Sequence, residues 1–286
     1  MKISYLSDIH LEFLDWPDFS QESGGDVLLL AGDITTAAMI RPDRTDKDVR
    51  KHSKYLSKFK KDLIDKYDAV YMIMGNHEHY NCIFKNTKQE LLDGFARHDL
   101  TKIRILDNDT VKIYDWTLVG ATLWTDFNRA DPFTMFTVEK GMNDFRLIGK
   151  EDVSDMNYFN RTSNRKIDAQ FILTEHNVSK QYIQEVTKNN DKVIVMTHHA
   201  PTSKSVNTEH SGQSLDYAYF SDLSDIILDN PSIKYWIHGH THMNVDYVKS
   251  QIINRSEILS KMKDEGQIKL IGGVYDLKTG KVNFDK

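Results

Sequence analysis

Cysteine is nearly absent from this sequence: its 286 residues include one, Cys82. That excludes an internal disulfide and any cysteine-based zinc cluster, so a metal site here would use nitrogen and oxygen ligands, and the usage suits a reducing compartment. Excess positive charge is also lacking. A formal net charge of -5 argues against a general electrostatic nucleic-acid binder, which draws its sequence-independent affinity from clustered Lys and Arg. No uninterrupted apolar stretch reaches the roughly 18 residues of a membrane span. The opening MKISYLSDIH passes straight into a strand-like pattern, without the apolar core and small-residue cleavage site of a signal peptide. A cytoplasmic protein with no membrane partner is therefore expected. Linkers rich in Pro, Gly or Ser, internal repeats and low-complexity tracts are missing too, which predicts a single domain over residues 1–286.

What is present is an ordinary globular composition, 40% hydrophobic, with short apolar runs that end repeatedly in polar clusters. Ile3 to Leu6 runs into Asp8 and His10, Val27 to Ala31 into Gly32-Asp33, and Val70 to Met74 into Gly75-Asn76-His77. Val193 to Met196 runs into His198-His199, and Tyr235 to Ile237 into His238-Gly239-His240. Between these predicted strands lie helical patterns at residues 47–67 and 166–188, the latter with Ile167, Phe171, Val178, Tyr182 and Val186 on one stripe. Alternating strands and helices indicate an α/β fold, in which sites form where strands end at their carboxyl side. Lys102 to Leu106, Thr110 to Tyr114 and Thr117 to Ala121 read as shorter strands of a second, antiparallel-leaning sheet. Residues 124–165 read as an irregular, polar lid or rim.

The stretch MGNHEHY, from Met74 to Tyr80, shows what these endings have in common. Singly, a histidine after a strand is a hydrogen-bonded structural residue and Gly-Asp a turn. Jointly, Asp8-x-His10, Gly32-Asp33, Gly75-Asn76-His77-Glu78, His198-His199 and Gly239-His240-Thr241-His242 gather many nitrogen and oxygen donors. Carboxylates and imidazoles brought so close would repel or compete for protons unless a cation lay among them. Spacing leaves open whether His198 or His199 is the ligand. His198 comes first after the strand and is favoured, which leaves His199 facing outward or toward substrate.

In this order the motifs D-x-H, G-D, G-N-H-[DE], the paired histidines and G-H-x-H resemble those of the calcineurin-like metallophosphoesterase superfamily, over residues 1 to about 248. Gly120 to Asp126, Met142 to Phe145 and Trp236 to His242 are similar to a bacterial and phage branch of it. The resemblance implies a four-layer α-β-β-α sandwich of two mixed sheets. It further implies two divalent or trivalent metal ions, Mn and/or Fe with Zn or Ni as alternatives. Asp8, His10 and His242 would hold one, Asn76, His198 and His240 the other, and Asp33 would bridge them. Water activated between the metals would attack phosphorus in line, with no covalent enzyme intermediate. The expected activity is hydrolysis of phosphodiesters or phosphomonoesters, small nucleotides first; the alternative is a non-catalytic, metal-stabilised nucleotide-binding or scaffold protein.

Within that frame His77 can point at the substrate while Asn76 points at a metal, which suits it to protonate the leaving oxygen or stabilise the transition state. Glu78 is expected to fix the His77 ring, His238 and Cys82 to be structural, and Trp124 and Trp236 to pack. Arg146 is a candidate for gripping a substrate phosphate through its planar fork of donors, against a reading as a surface ion pair. Asp126, Asn143 and Asp144 read as lid-stabilising. Members of the branch finish with an Asn-Pro-Arg-Gly-Tyr turn that this chain lacks. Residues 249–286 instead read as a helix-like Ser256 to Glu265 and a hairpin from Leu270 to Lys281, turning at Lys278-Thr279-Gly280.

Overall fold

The computed structural model describes residues 1–13, 19, 22–41, 47–150, 166–206, 213–243, 245–247, 269–276 and 281–284. In chain order the strands are β1 (Lys2–Ser7), β2 (Gly25–Ala31), β3 (Tyr67–Ile73), β4 (Ile103–Leu106), β5 (Asp109–Ile113), β6 (Trp116–Ala121), β7 (Val193–Thr197), β8 (Ile233–Ile237), β9 (Lys269–Asp276) and β10 (Lys281–Phe284). The helices are α1 (Ala37–Ile40), α2 (Lys47–Asp62), α3 (Thr87–Arg97), α4 (Phe127–Ala130), α5 (Pro132–Gly141), α6 (Asp144–Leu147), α7 (Ala169–Lys188) and α8 (Ser224–Asp229). No helix among the described residues is long and apolar enough to cross a membrane.

Six strands form one sheet in the order β10-β9-β1-β2-β3-β4 and four form a second in the order β5-β6-β7-β8. Strands β9, β1, β2, β3 and β4 run parallel, with β10 antiparallel at the edge; β6, β7 and β8 run parallel, with β5 antiparallel at theirs. The sheets face each other across Ile3, Leu29 and Ile73 on one side and Leu118, Ile194 and Met196 on the other. Behind the first sheet, Leu28, Leu30 and Met72 pack on Ile40, Leu56, Phe59, Leu91 and Phe95 of α1 to α3. Behind the second, Val119, Val193 and Val195 pack on Ile183 of α7 and Ile226 of α8. The protein is thus a four-layer α-β-β-α sandwich, as expected. Strands covered on both faces explain why β6 and β7 read as continuous apolar runs and not as alternating ones.

Three expectations change in detail. The strand at residues 103–106 joins the first sheet, parallel to β3, so only the β5–β6 hairpin is antiparallel in the second. Residues 132–147 are largely helical rather than irregular, because Asp131 caps α5 by accepting from the Thr134 N–H at 2.8 Å and Pro132 occupies its first turn. Of the expected stripe, Ile167 is buried and Phe171, Tyr182 and Val186 pack partly buried, but Val178 is 50% exposed and the centre of the inward face of α7 is Ile172, His176, Ser179, Ile183 and Thr187. The hairpin near the end of the chain exists as β9 and β10, and β9 adds to the free edge of β1. The helix-like Ser256 to Glu265, the turn at Lys278 to Gly280 and lid residues 151–165 lie outside the described residues.

Candidate metal centre

Each expected metal ligand, and His77 with them, lies just past the carboxyl end of a strand: Asp8 and His10 after β1, Asp33 after β2, Asn76 and His77 after β3, His198 after β7, His240 and His242 after β8. Releasing side chains from a strand within two or three residues needs sharp backbone turns. Asp8, His10, Asp33, His240 and His242 all sit at φ between 50° and 66°, the left-handed region. Such conformations cost about 1–3 kcal/mol each and persist where the surroundings fix them. Here the loops are tied to one another, Asp8 N–H to Gly32 O at 3.0 Å, His10 N–H to Asp33 O at 2.9 Å and Gly239 N–H to His198 O at 3.0 Å. Gly75 closes the packing: a β-carbon there would run into Asp33 Oδ1 and lie 2.7 Å from His198 Cε1.

The side chains converge in two clusters, Asp8 with His10 and His242, and Asp33 with His198 and His240. Asp33 Oδ2 lies between them, 3.7 Å from His10 Nε2 and 3.3 Å from His198 Nε2. Asp33 Oδ1 is occupied by the His77 backbone N–H at 2.9 Å, which directs the other oxygen inward. His10 Nε2 and His242 Nε2 face each other at 3.2 Å, and His240 Nε2 is buried with no hydrogen-bonding partner among the described residues. Nitrogens that face one another or stand alone in a buried space are satisfied together by an electrophile placed among them. The donor set, imidazole and carboxylate with the Asn76 amide, is one that suits Fe, Mn and Zn. The residues therefore fit metal cations.

Electrostatics point the same way. Burial opposes charge on Asp8 and Asp33, yet neighbouring imidazoles hold both carboxyls below the ordinary carboxylate range. Burial likewise opposes a charged His10, but the Glu12 hydrogen bond and the Asp33 charge raise it to about 9; for His198 the Asp33 carboxylate raises it to about 10. The carboxylates of the centre thus favour positive charge in the space between the rings. His240 and His199, by contrast, are pushed down by burial, His199 to about 3, and stay neutral.

The two paired histidines point in different directions. His198 donates through Nδ1 to Ala31 O at 2.8 Å and turns Nε2 to Asn76 Oδ1 at 3.1 Å. His199 does not face outward; it is buried, its ring 5.1 Å from Trp124 and 4.3 Å from His240. Arg146 is exposed and donates to the carbonyls of Lys140 and Gly141 at 3.0 and 3.3 Å, at the end of α5. His238 bonds Ser205 Oγ at 2.8 Å, Trp124 is buried, and Trp236 donates to Thr197 Oγ1 at 2.9 Å. These three pack, as expected.

Glu78 does not hold His77. Its carboxylate accepts backbone N–H groups of Gly75, Asp33 and Ile34 at 2.6, 2.9 and 2.7 Å, fastening two of the loops together. His77 is held instead by Glu12, whose Oε1 accepts from Nδ1 at 2.8 Å, leaving His77 Nε2 4.0 Å from Asp33 Oδ2. Burial disfavours a charged His77, but Asp33 and Glu12 together raise it above the ordinary histidine value. Asp144 also does more than steady a lid, since its Oδ1 accepts from Asn76 Nδ2 at 2.9 Å and from the Tyr80 hydroxyl at 2.6 Å. Glu12 carried a visible signal, continuing the every-second-residue spacing of Asp8 and His10.

A family model described as calcineurin-like phosphoesterase matches residues 1–244. The chain belongs to this family. Membership brings metal-dependent hydrolysis of phosphoesters as its class of chemistry, and with it phosphate esters as substrates. An uncharacterized protein of Acanthamoeba polyphaga mimivirus is 26% identical over 278 residues, 88% of each chain. Among solved structures, phosphopantetheinyl hydrolase from Mycobacterium tuberculosis superposes with a TM-score of 0.53 over 87% of this chain and 86% of its own. At 13% identity that likeness speaks for the fold.

Proposed function

We propose that this calcineurin-like phosphoesterase is a dinuclear-metal hydrolase of small phosphate esters, nucleotides first among them. One observation carries the reading: Asp33 Oδ2 stands between two clusters of imidazoles and carboxylates, buried except for His242, and lies within 3.7 Å of a histidine nitrogen from each. Asp8, His10 and His242 would hold one cation, Asn76, His198 and His240 the other, and Asp33 both. Two cations bound there, Mn and/or Fe first with Zn or Ni as alternatives, would supply Lewis-acid polarisation of water and neutralisation of phosphoryl charge.

The chain's own residues set what surrounds that chemistry. The loops hold the ligands rigid, so little reorganisation accompanies substrate binding. His77, its Nδ1 fixed and its Nε2 facing the centre, delivers a proton to the leaving oxygen. Phe13, 57% exposed and 5.9 Å from the His77 ring, offers an apolar face beside the centre for a substrate's leaving group.

The test is hydrolysis of bis(p-nitrophenyl) phosphate and p-nitrophenyl phosphate with added Mn²⁺. Metal-stimulated turnover that disappears in Asp33→Asn and falls about 10²- to 10⁴-fold in His77→Ala is expected, the range for a positioned acid. Protein that binds metal yet hydrolyses neither ester would favour a binding role instead.

A further inference from the structure

The centre contains a carboxylate with two clients. Glu12 sits in the single 3-10 turn Leu11–Phe13 that follows His10. Its Oε1 lies 3.0 Å from His10 Nδ1 and 2.8 Å from His77 Nδ1, while Oε2 is buried with no partner among the described residues. The two rings meet edge to face, centroids 4.4 Å apart at 70°, and Phe13 flanks both, at 5.2 Å from His10 and 5.9 Å from His77. The turn itself is anchored: Leu11 is buried, its N–H donating to Ile34 O at 2.9 Å, and the Phe13 N–H donates to His10 O at 3.0 Å.

A carboxylate only accepts hydrogen bonds, so both imidazoles must present Nδ1–H to the same oxygen. That choice fixes both tautomers and turns both Nε2 atoms toward the centre. On His10 the freed lone pair faces His242 Nε2 and Asp33; on His77, Nε2 is the atom left to carry a proton outward. We propose that Glu12 is a positioning residue that couples the metal-holding His10 to the proton-delivering His77, so that neither ring can be displaced without the other. The proposal rests on the roles given above to these two histidines. Were Glu12 merely a space-filler, its carboxylate would not need to meet two ring nitrogens through one oxygen in a largely water-excluded position. A partner to a ligating imidazole commonly contributes 10- to 100-fold in metal affinity, and here the same atom also sets the proton donor.

The two functions give separable readouts in full-length protein. Mn²⁺ affinity is read by titration calorimetry. Proton delivery is read from the ratio of kcat/KM for phenyl phosphate to that for p-nitrophenyl phosphate, because the poorer leaving group depends more on protonation. Glu12→Ala is expected to weaken Mn²⁺ binding about 10- to 100-fold and to lower the ester ratio about 10-fold. Glu12→Gln keeps an acceptor oxygen but not the charge, and should move both readouts in the same direction by less, which also serves if the alanine variant does not fold. In a His77→Ala background, Glu12→Gln should still weaken Mn²⁺ binding yet leave the ester ratio unchanged. Loss of activity on both esters equally, with Mn²⁺ affinity intact, would reduce Glu12 to a structural role and overturn the coupling, as would movement of one readout without the other. A wild-type protein that binds no Mn²⁺ and hydrolyses neither ester would instead bring down the reading of the centre, and the coupling with it.

Discussion

Asp144 lies 68 residues from Asn76 in sequence, yet its Oδ1 accepts the Asn76 amide N–H at 2.9 Å and so decides which end of that amide faces His198. With the NH₂ group spent on Asp144 and the Tyr80 hydroxyl, Asn76 Oδ1 is left 3.1 Å from His198 Nε2, where the proposed centre calls for a neutral oxygen ligand. Replacing Asp144 by Ala frees the amide to rotate. Mn²⁺ affinity should fall about 10- to 100-fold while circular dichroism stays unchanged. Unaltered affinity would mean the amide orients without help.

Phe13 is the aromatic most exposed beside His10 and His77. Contact between its ring and an aryl or base-bearing ester is worth on the order of 1 kcal/mol. Phe13→Ala should therefore raise KM about three- to tenfold for p-nitrophenyl esters with kcat nearly constant, since the contact is made equally in ground and transition states. A fall in kcat at constant KM would place Phe13 in support of the histidines rather than of substrate.

Cys82 is buried, and burial together with the Glu90 carboxylate pushes its thiol up to about 12. Thiolate is the reactive form, so at pH 8 only about one molecule in 10⁴ could react even if the group were reachable. Ellman's reagent should find no thiol in the native protein and one per chain in guanidinium. Rapid native labelling would show that the segment carrying Cys82 opens.

Gly75→Ala forces a methyl group into Asp33 and His198. Overpacking of this kind costs about 1–3 kcal/mol and here falls on two proposed ligands. Urea unfolding should shift by that amount and metal content should drop with it. A variant with full metal content and wild-type stability would show that the loops yield more readily than their cross-ties indicate.

Much of this was legible in sequence because strands covered on both faces leave unmistakable apolar runs, and their polar endings need no long-range knowledge to be seen. The centre of the inward face of α7 was not, because it carries His176, Ser179 and Thr187 beside the apolar flank of Phe171, Tyr182 and Val186. His176 is tolerated there by donating through Nδ1 to Leu123 O at 3.1 Å, a partner 53 residues away that no periodicity records. Asp144 was hidden for the same reason. Glu78 misled by adjacency: next to His77 in the chain, it points to the backbone of another loop. Long-range side-chain pairing, rather than element type, is what local pattern omits.

The left-handed residues carry a consequence for how this centre can vary. Aspartate and histidine are among the few non-glycine types enriched in that region, and they are also the types that bind metal. At Asp8, His10, Asp33, His240 and His242, the backbone and the chemistry therefore filter the same alphabet. Drift toward Val, Ile or Thr is barred twice over, whereas exchange among Asp, Asn and His meets little conformational resistance. Swapping among the proposed ligands, and with it a change of preferred cation, is the mutational path these loops leave open.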